Sequence, residues 1–386
     1  RGHGLHLKTD TGLLRALSGN HFAFNRVKTF AESSSFDFAG GTHGFSRLPS
    51  ILDLVRTGSG AVLDAGENGE CVEELSGHMK GAVSAFVNIL LGCERGCTYC
   101  VVPFVRGKER SRQADAVLQE VQSIVGNGGK EITLLGQSVM SYGRTNAVWP
   151  GDYKSPMGFV EPLARLLEAV SRIDGVKRIR FTSGHPSGVT PELVRATSEL
   201  PAVCEHMHLP LQSGSDRILK MMRRGYTSDE YREAVRMLRS RMPGIALTTD
   251  IIVGFPTESA EEFEMTRQLM EEIGFDNSFI FKYSPRPDTP ASELRDDVPA
   301  AEKLRRNKVL LEIQDIIGLE ANGRIIGQTV EVLVEGMSLR NRSRWTGRTR
   351  TNKIVIFEPL PETKIGDIVN TKIERVMAQT LYGKLI

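Results

Sequence analysis

Three of the chain's five cysteines, Cys93, Cys97 and Cys100, share one short loop in the run Gly92-Cys93-Glu94-Arg95-Gly96-Cys97-Thr98-Tyr99-Cys100. Three thiolates spaced this way can hold three irons of a [4Fe–4S] cube. The fourth iron is then left without a protein ligand, free to bind and reductively cleave S-adenosylmethionine, the entry to radical chemistry. Zinc is the competing occupant, and it needs a fourth ligand. Cys71, His78, His185 and Cys204 reach the loop only if the fold carries them there. Tyr99 has two readings: a ring lying against the adenine of a bound nucleoside, or packing at the mouth of a barrel.

Such a loop needs a rigid element beneath it, and a regular alternation supplies one. Strands are predicted over Gly81–Leu90, Glu131–Leu135, Arg178–Thr182, His206–Leu211, Ile245–Val253 and Asn277–Tyr283. Helices are predicted between them, over Ala114–Val125, Phe159–Ile173, Pro191–Leu200, Ser228–Arg241 and Ser259–Ile273, with Thr190 and Ser228 as expected N-caps. The alternation implies an α/β fold, a parallel sheet with right-handed crossovers closing toward a partial (β/α)6 barrel. In a barrel the residues just after each strand share one rim. The unusual residues lie there: the cysteine loop, Gly136-Gln137, Ser183-Gly184-His185-Pro186, Gln212-Ser213-Gly214-Ser215, Gly254-Phe255-Pro256 and Ser284-Pro285-Arg286-Pro287. Gly254 lets a ligand approach the backbone closely. Arg106 and Arg112 follow the cysteine loop and are expected near the rim, where they would meet a phosphate or a carboxylate. His185 and His208 read as structural histidines.

Beyond a charged helix at Ala300–Gly323 the pattern changes to short alternating strands, which predict a small separate β-barrel over Gln328–Ile386. Between two of its strands lie five arginines and a tryptophan, including Arg342, Arg344, Trp345, Arg348 and Arg350. Arginine interleaved with an aromatic residue on a small barrel suits RNA backbone contact and base stacking.

Bulk properties bound the rest. The 386 residues allow two or three domains. Hydrophobic content of 40% and charged content of 25% are those of an ordinary globular chain. A net charge of +2 makes no whole-chain case for nucleic acid, so any such case is local. The cysteines suggest a reducing compartment, and no apolar run approaches the length of a membrane span. The chain opens with Arg1, which reads as a fragment or a processed product.

Several runs resemble the radical S-adenosylmethionine methylthiotransferases over about residues 36–386. They are Gly92–Arg112, with Val101-Val102-Pro103-Phe104-Val105-Arg106-Gly107 after the cysteines, Leu135-Gly136-Gln137-Ser138-Val139, His208–Asp216, Asp250–Glu258 and Tyr283–Pro290. The C-terminal barrel resembles a TRAM domain. His208-Leu209-Pro210-Leu211-Gln212-Ser213-Gly214-Ser215 is most similar to the branch that acts on carbon 2 of N6-(dimethylallyl)adenosine at position 37 of tRNA. The branches acting on threonylcarbamoyladenosine or on a ribosomal protein, and a non-catalytic tRNA-binding relative, are the alternatives.

The resemblance implies a radical SAM barrel over 76–322, a TRAM-like RNA-binding domain over 323–386 and an incomplete N-terminal domain with linker over 1–75. It implies a [4Fe–4S] cluster on Cys93, Cys97 and Cys100, with S-adenosylmethionine met by Tyr99, Gly136, Gln137, Gln212, Ser213 and Gly254. At Gln137 a neutral side chain stands where such enzymes more often place an acidic one to receive the methionine amino group. tRNA, an electron donor such as flavodoxin or ferredoxin, a monomeric state and a cytoplasmic setting follow from the same resemblance. The family also implies a second [4Fe–4S] cluster on three N-terminal cysteines. Residues 1–35 hold no cysteine, Gly19-Asn20-His21-Phe22-Ala23-Phe24 stands where the third would fall, and Cys71 matches none of the three. A truncated or faulty N-terminal boundary is therefore expected, with a variant lacking methylthiolation as the alternative.

Overall fold

The computed structural model describes residues 82–151, 153–339 and 341–386, together with 4–9, 12–18, 38–40, 48–57 and 62–64. Upstream, β1 (Gly4–Thr9), β2 (Gly12–Ser18), β3 (Phe38–Gly40) and β4 (Val62–Asp64) make one four-stranded sheet. Helix α1 (Leu48–Arg56) stands before β4 in the chain. The expectations for Cys71, His78 and residues 19–24 lie outside the described residues.

The predicted alternation is present. β5 (Ser84–Leu91), β7 (Glu131–Gly136) and β8 (Arg178–Phe181) pair in parallel, as do β9 (His206–His208), β10 (Ala246–Val253) and β11 (Asn277–Lys282). A bridge between Ile179 and Val203 joins the two sheets, so six parallel strands run in the order 5-7-8-9-10-11. Strand β6 (Arg110–Ser111) adds two antiparallel residues outside β5. The ring stays open between β5 and β11, which makes a partial (β/α)6 barrel. Its main core lies between the strands and an outer layer of helices. Ile89, Ile132, Leu134, Ile179, Leu247 and Ile251 of the strands are fully buried there.

Local sequence sets the helix starts. The helices are α2 (Val102–Arg106), α3 (Ala114–Gly126), α4 (Pro162–Ser171), α5 (Pro191–Glu199), α6 (Asp216–Met221), α7 (Ser228–Arg241), α8 (Ala260–Ile273) and α9 (Ala300–Gly323). Capping boxes Thr227/Glu230 and Ser259/Glu262 open α7 and α8, and Thr190 caps α5. The cap of α7 is thus Thr227, not Ser228, because only a residue outside the helix can accept from the N3 amide. Helix α4 starts later than predicted. The amides of Val160 and Glu161 donate to Glu192 Oε1 (2.6 and 2.7 Å) and Pro162 begins the helix. Strand β9 ends at His208 rather than Leu211, because Pro210 has no amide for the ladder. Helix α6 is too short to leave a periodic signal.

The C-terminal strands β12 (Thr329–Met337), β13 (Trp345–Thr349), β14 (Ile354–Glu358), β15 (Ile368–Val376) and β16 (Thr380–Leu385) form a closed barrel in the order 12-13-14-16-15. Val332, Val334, Val355, Phe357, Ile373 and Leu381 fill it. This small barrel docks on the N-terminal ends of the large barrel's strands, the end opposite the cysteine loop. Arg178, which is fully buried, donates to the Arg348 carbonyl (2.6 Å) and to Glu331 (2.8 Å). Arg180 donates to the carbonyls of Thr349 and Arg350 (both 2.7 Å) and to Glu131 (3.0 Å). Arg350 grips Glu205 with two bonds of 2.8 Å and donates to the Val203 carbonyl (2.7 Å), and Lys353 meets Asp276 (2.5 Å). Replacing Arg350 with alanine is expected to lower stability by about 1 kcal/mol, discounted for partial exposure. A fall in melting temperature is the result to look for. Among the described residues no helix is long and apolar enough to cross a membrane.

Candidate active site

The cysteine loop leaves the C-terminal end of β5 through Gly92. That residue has φ of +79°, and a Cβ on it would lie 2.0 Å from the Lys108 carbonyl oxygen. The chain must turn here against its own return segment, and only glycine allows it. The Gly92 amide donates to Gln137 Oε1 (2.7 Å), the Cys93 amide to the Gly107 carbonyl (3.2 Å) and the Glu94 amide to Glu109 (3.3 Å). On the far side Thr98 bonds to the carbonyls of Met222 and Met221, and the Ala291 amide donates to the Thr98 carbonyl (2.9 Å). Four separate segments therefore fix one loop. Gly92→Ala is expected to cost roughly 1–3 kcal/mol from φ alone, and displacement of the Lys108 segment adds to it. Iron bound per chain after reconstitution should fall below one cluster's worth.

All three thiols are half-buried. Burial pushes the Cys93 and Cys100 thiols up, so ionising them here calls for cations close by. Arg224 gives one: its Nη1 donates to Cys97 Sγ (3.1 Å) from a nearly buried position, and its Nε to the Tyr226 hydroxyl (3.2 Å). Among the described residues no group of three or more His, Cys, Asp or Glu is placed to hold one metal ion. A single zinc would draw its sulfurs to about 2.3 Å of one centre, whereas a cube spreads them over separate irons. The loop therefore fits the cube better than zinc.

The other predicted contacts divide. Tyr99 packs against a small apolar cluster of Ile218, Met222, Phe255, Tyr283 and Ala291. Gln137 spends its carbonyl on the cysteine loop, beside Gly136 at the end of β7. Gln212 adopts a left-handed conformation (φ +69°) and splices into β10 through its backbone, while its buried Oε1 has no protein partner. Such an acceptor calls for a donor from a ligand or water. Ser213 is fully buried; its Oγ accepts the Ser215 amide and contacts Thr266. At Gly254 the space a Cβ would fill is taken by the Lys303 stem at 2.4 Å. The glycine is therefore required by α9. Arg112 is buried against Glu120 (2.5 Å) and the Asn88 carbonyl (2.7 Å), which turns it away from the rim ligand expected for it. His185 is a buried ring bonded to Ser187, its pKa pushed down to about 2 by burial and then by Arg224 and Arg95.

Below the rim the inward faces of the strands enclose a lumen of about 480 Å3, lined by Thr182, His206, His208, Thr248, Asp250 and Phe279. Arg348, Asn352 and Lys353 of the small barrel form its floor. The His208 ring shares hydrogen bonds with Thr248 Oγ1 (3.0 Å) and Asp250 (3.3 Å). Both ring nitrogens of buried His206 lack a partner, and burial, with Arg180 next, pushes its pKa down to about 3. Sequence reasoning took His208 as structural and missed His206 beside it on the same face. The His-x-His alternation on one strand face was the available signal.

In the arginine-rich hairpin, Arg342 is exposed and Arg344 half-exposed, lying 3.8 Å from Glu358. Trp345 packs on the small barrel's core, and Arg348 turns to Glu335 (3.1 Å) and Asn352. Arg350 is committed to Glu205 of the large barrel, so the stretch divides into outward Arg342 and Arg344, Trp345 and Arg348 held within the small barrel, and Arg350 between the domains.

The rim loop, the open barrel and the closed C-terminal barrel together define a radical SAM protein. The radical SAM superfamily model matches residues 87–270 and the TRAM domain model residues 323–386. A radical S-adenosylmethionine methyltransferase, TsrM, from Kitasatospora setae shares the fold at a TM-score of 0.52 and 16% identity, over 72% of this chain and 58% of that one. The tRNA-2-methylthio-N(6)-dimethylallyladenosine synthase of Moorella thermoacetica is 44% identical over 90% of this chain and 76% of its own length. That of Acetivibrio thermocellus is 42% identical over 92% of this chain and 71% of its own. The chain belongs to this synthase family.

Proposed function

We infer that the protein adds a methylthio group to carbon 2 of N6-(dimethylallyl)adenosine at position 37 of tRNA. The observation that carries the reading is the three-cysteine loop, held from four sides at the rim of an open, floored lumen. A [4Fe–4S] cluster on Cys93, Cys97 and Cys100, with S-adenosylmethionine on its open iron, would supply a carbon radical able to take hydrogen from an inert C–H bond.

The chain's own residues do the rest. Gln137 and Gly92 set the loop's position on β7. Gln212 Oε1 offers the free acceptor for a bound ligand, with Tyr99, Gly136, Ser213 and Gly254 framing the same rim. The lumen, with His208 oriented by Thr248 and Asp250, receives the base. Arg342 and Arg344 present cations outward for the RNA backbone. In this reading residues 76–322 form the catalytic core and 323–386 the RNA-binding part of a cytoplasmic monomer served by a protein electron donor. Sulfur insertion draws on a second cluster in this family, whose three ligands are not among the residues of this sequence.

Anaerobic reconstitution with iron and sulfide tests the reading. About four irons per chain and dithionite-driven release of 5′-deoxyadenosine from S-adenosylmethionine are expected. Stoichiometric zinc in a colourless protein, or tRNA binding without iron uptake, would overturn it.

A further inference from the structure

Strands β10 and β11 present matched rows of side chains to the lumen. In their parallel register Asp250 stands beside Phe279 and, one row nearer the cysteine loop, Ile252 beside Phe281. Strand alternation turns these rows inward, away from the helices that bury Ile251 and Val253. Phe279 and Phe281 are exposed, and so is Phe86 on the inner face of β5. Because β5 and β11 border the gap in the ring, an aromatic wall lines the way into the lumen. Clustered exposed apolar surface of this kind marks a ligand groove.

Asp250 is the charged group in that wall. Its Oδ2 meets His208 Nε2 at 3.3 Å, and its Oδ1 has no hydrogen-bond partner among the described residues. The other charges around the lumen are matched: Asp276 holds Lys353 (2.5 Å) and Arg348 faces Glu335 (3.1 Å). Asp250 meets no lysine or arginine among the described residues. His208 is braced in turn by Thr248 Oγ1 (3.0 Å) and stands edge-on to the Phe279 ring, with 6.0 Å between centroids. A carboxylate with one spare oxygen, fixed beside an aromatic face, suits an N–H in the plane of a stacked ring. Lower down, the ring nitrogens of His206 and the Oδ1 of Asn322 also lack partners. That makes the floor a place for water and polar groups rather than for a hydrocarbon chain.

We propose that Asp250 reads the N6–H of the target base, with Phe279 as the stacking face and His208 as the positioning residue that aims the carboxylate. The proposal rests on the reading of the base given above. N6-(dimethylallyl)adenosine carries a single exocyclic N–H, on the nitrogen that bears its apolar substituent. With that N–H on Asp250, the substituent lies toward Phe281 and Phe86 and away from the polar floor. A site built to accept a substrate N–H rejects the analogue that lacks it, because its own polar group is then left unpaired.

The test is a double-mutant cycle on RNA affinity with the reconstituted full chain. The probes are anticodon stem-loops whose position 37 is N6-(dimethylallyl)adenosine, its N6-methyl derivative, which has no exocyclic N–H, or plain adenosine. The parent is expected to bind the N6-methyl loop about tenfold or more weakly than the dimethylallyl loop, the loss of a hydrogen bond to a charged group. In Asp250→Ala the acceptor is gone, so that penalty should shrink to about twofold or less. Asp250→Asn keeps the shape and an acceptor without the charge, and should show a penalty of about threefold. Iron bound per chain and melting temperature report whether each variant is folded, and should the alanine variant unfold, Asp250→Asn decides alone. A penalty as large in the variants as in the parent overturns the proposal, since its origin is then steric. A parent that binds the dimethylallyl and N6-methyl loops alike overturns it too. Failure of the base reading looks different: the parent would bind the plain adenosine loop as tightly as the dimethylallyl loop, and the proposal would fall with it.

Discussion

Cys97→Ala should abolish iron incorporation and S-adenosylmethionine cleavage together. Two thiolates cannot hold a cube that requires three, and the remaining pair stays half-buried with its pKa values already pushed up. The substitution also strips Arg224 of its sulfur acceptor, leaving that guanidinium in a largely buried position with the Tyr226 hydroxyl alone. The expected result is loss of the cluster's visible absorption and a cleavage rate at background. Cys204→Ala is the control. Cys204 is buried where β8 meets β9, at the far end of the barrel, with its amide on the Ile179 carbonyl (2.9 Å). It should keep iron and activity and lose only a little stability. Iron retained in Cys97→Ala, or lost in Cys204→Ala, would move the cluster away from this loop.

The second large effect is structural. Glu131→Ala should destabilise the protein by about 3–5 kcal/mol, the cost of removing one partner from a buried ionic network. Glu131 is 4% exposed and accepts from Arg180 at 3.0 Å, with Arg178 at 3.9 Å. Both arginines also donate to the small barrel, so their positions are what dock it. Without the carboxylate two buried guanidinium groups face each other with less compensation. Melting should show an earlier, broader transition, and limited proteolysis should cut near residues 323–329 before the large barrel unfolds. Glu131→Gln, which keeps an acceptor for Arg180, should lose less. An unchanged melting curve for the alanine variant would mean that the interdomain network is held by its backbone acceptors alone.

Much of this site was legible in the sequence because its signals are local. The cysteine spacing lies within one loop, and Gly92 marks where the loop turns. The order of strands and helices follows periodicities of two and 3.6, and the Thr190 cap fixes the start of its helix. The errors were also local in kind. Pro210 cut β9 short, and Thr227 rather than Ser228 took the cap, because boundaries depend on single hydrogen bonds.

The long-range partners were not legible. Arg224 and Cys97 are 127 positions apart, and Arg350 and Glu205 are 145 apart. Nothing in a stretch of arginines says which will meet solvent, which a carboxylate and which a thiol. Arg112, read as a rim cation, became a buried structural pair; Arg223 and Arg224, adjacent in sequence, were sent to solvent and to sulfur. By itself the sequence determined the three-cysteine loop, the alternating fold and the C-terminal barrel, since each is written in contiguous residues. Only the tertiary structure decided that the small barrel floors the lumen, that Arg350 clamps it to the large barrel, and that Arg224 reaches a cysteine sulfur. A side chain's charge is set by its type, but its role is set by which groups the folded backbone brings within hydrogen-bond reach.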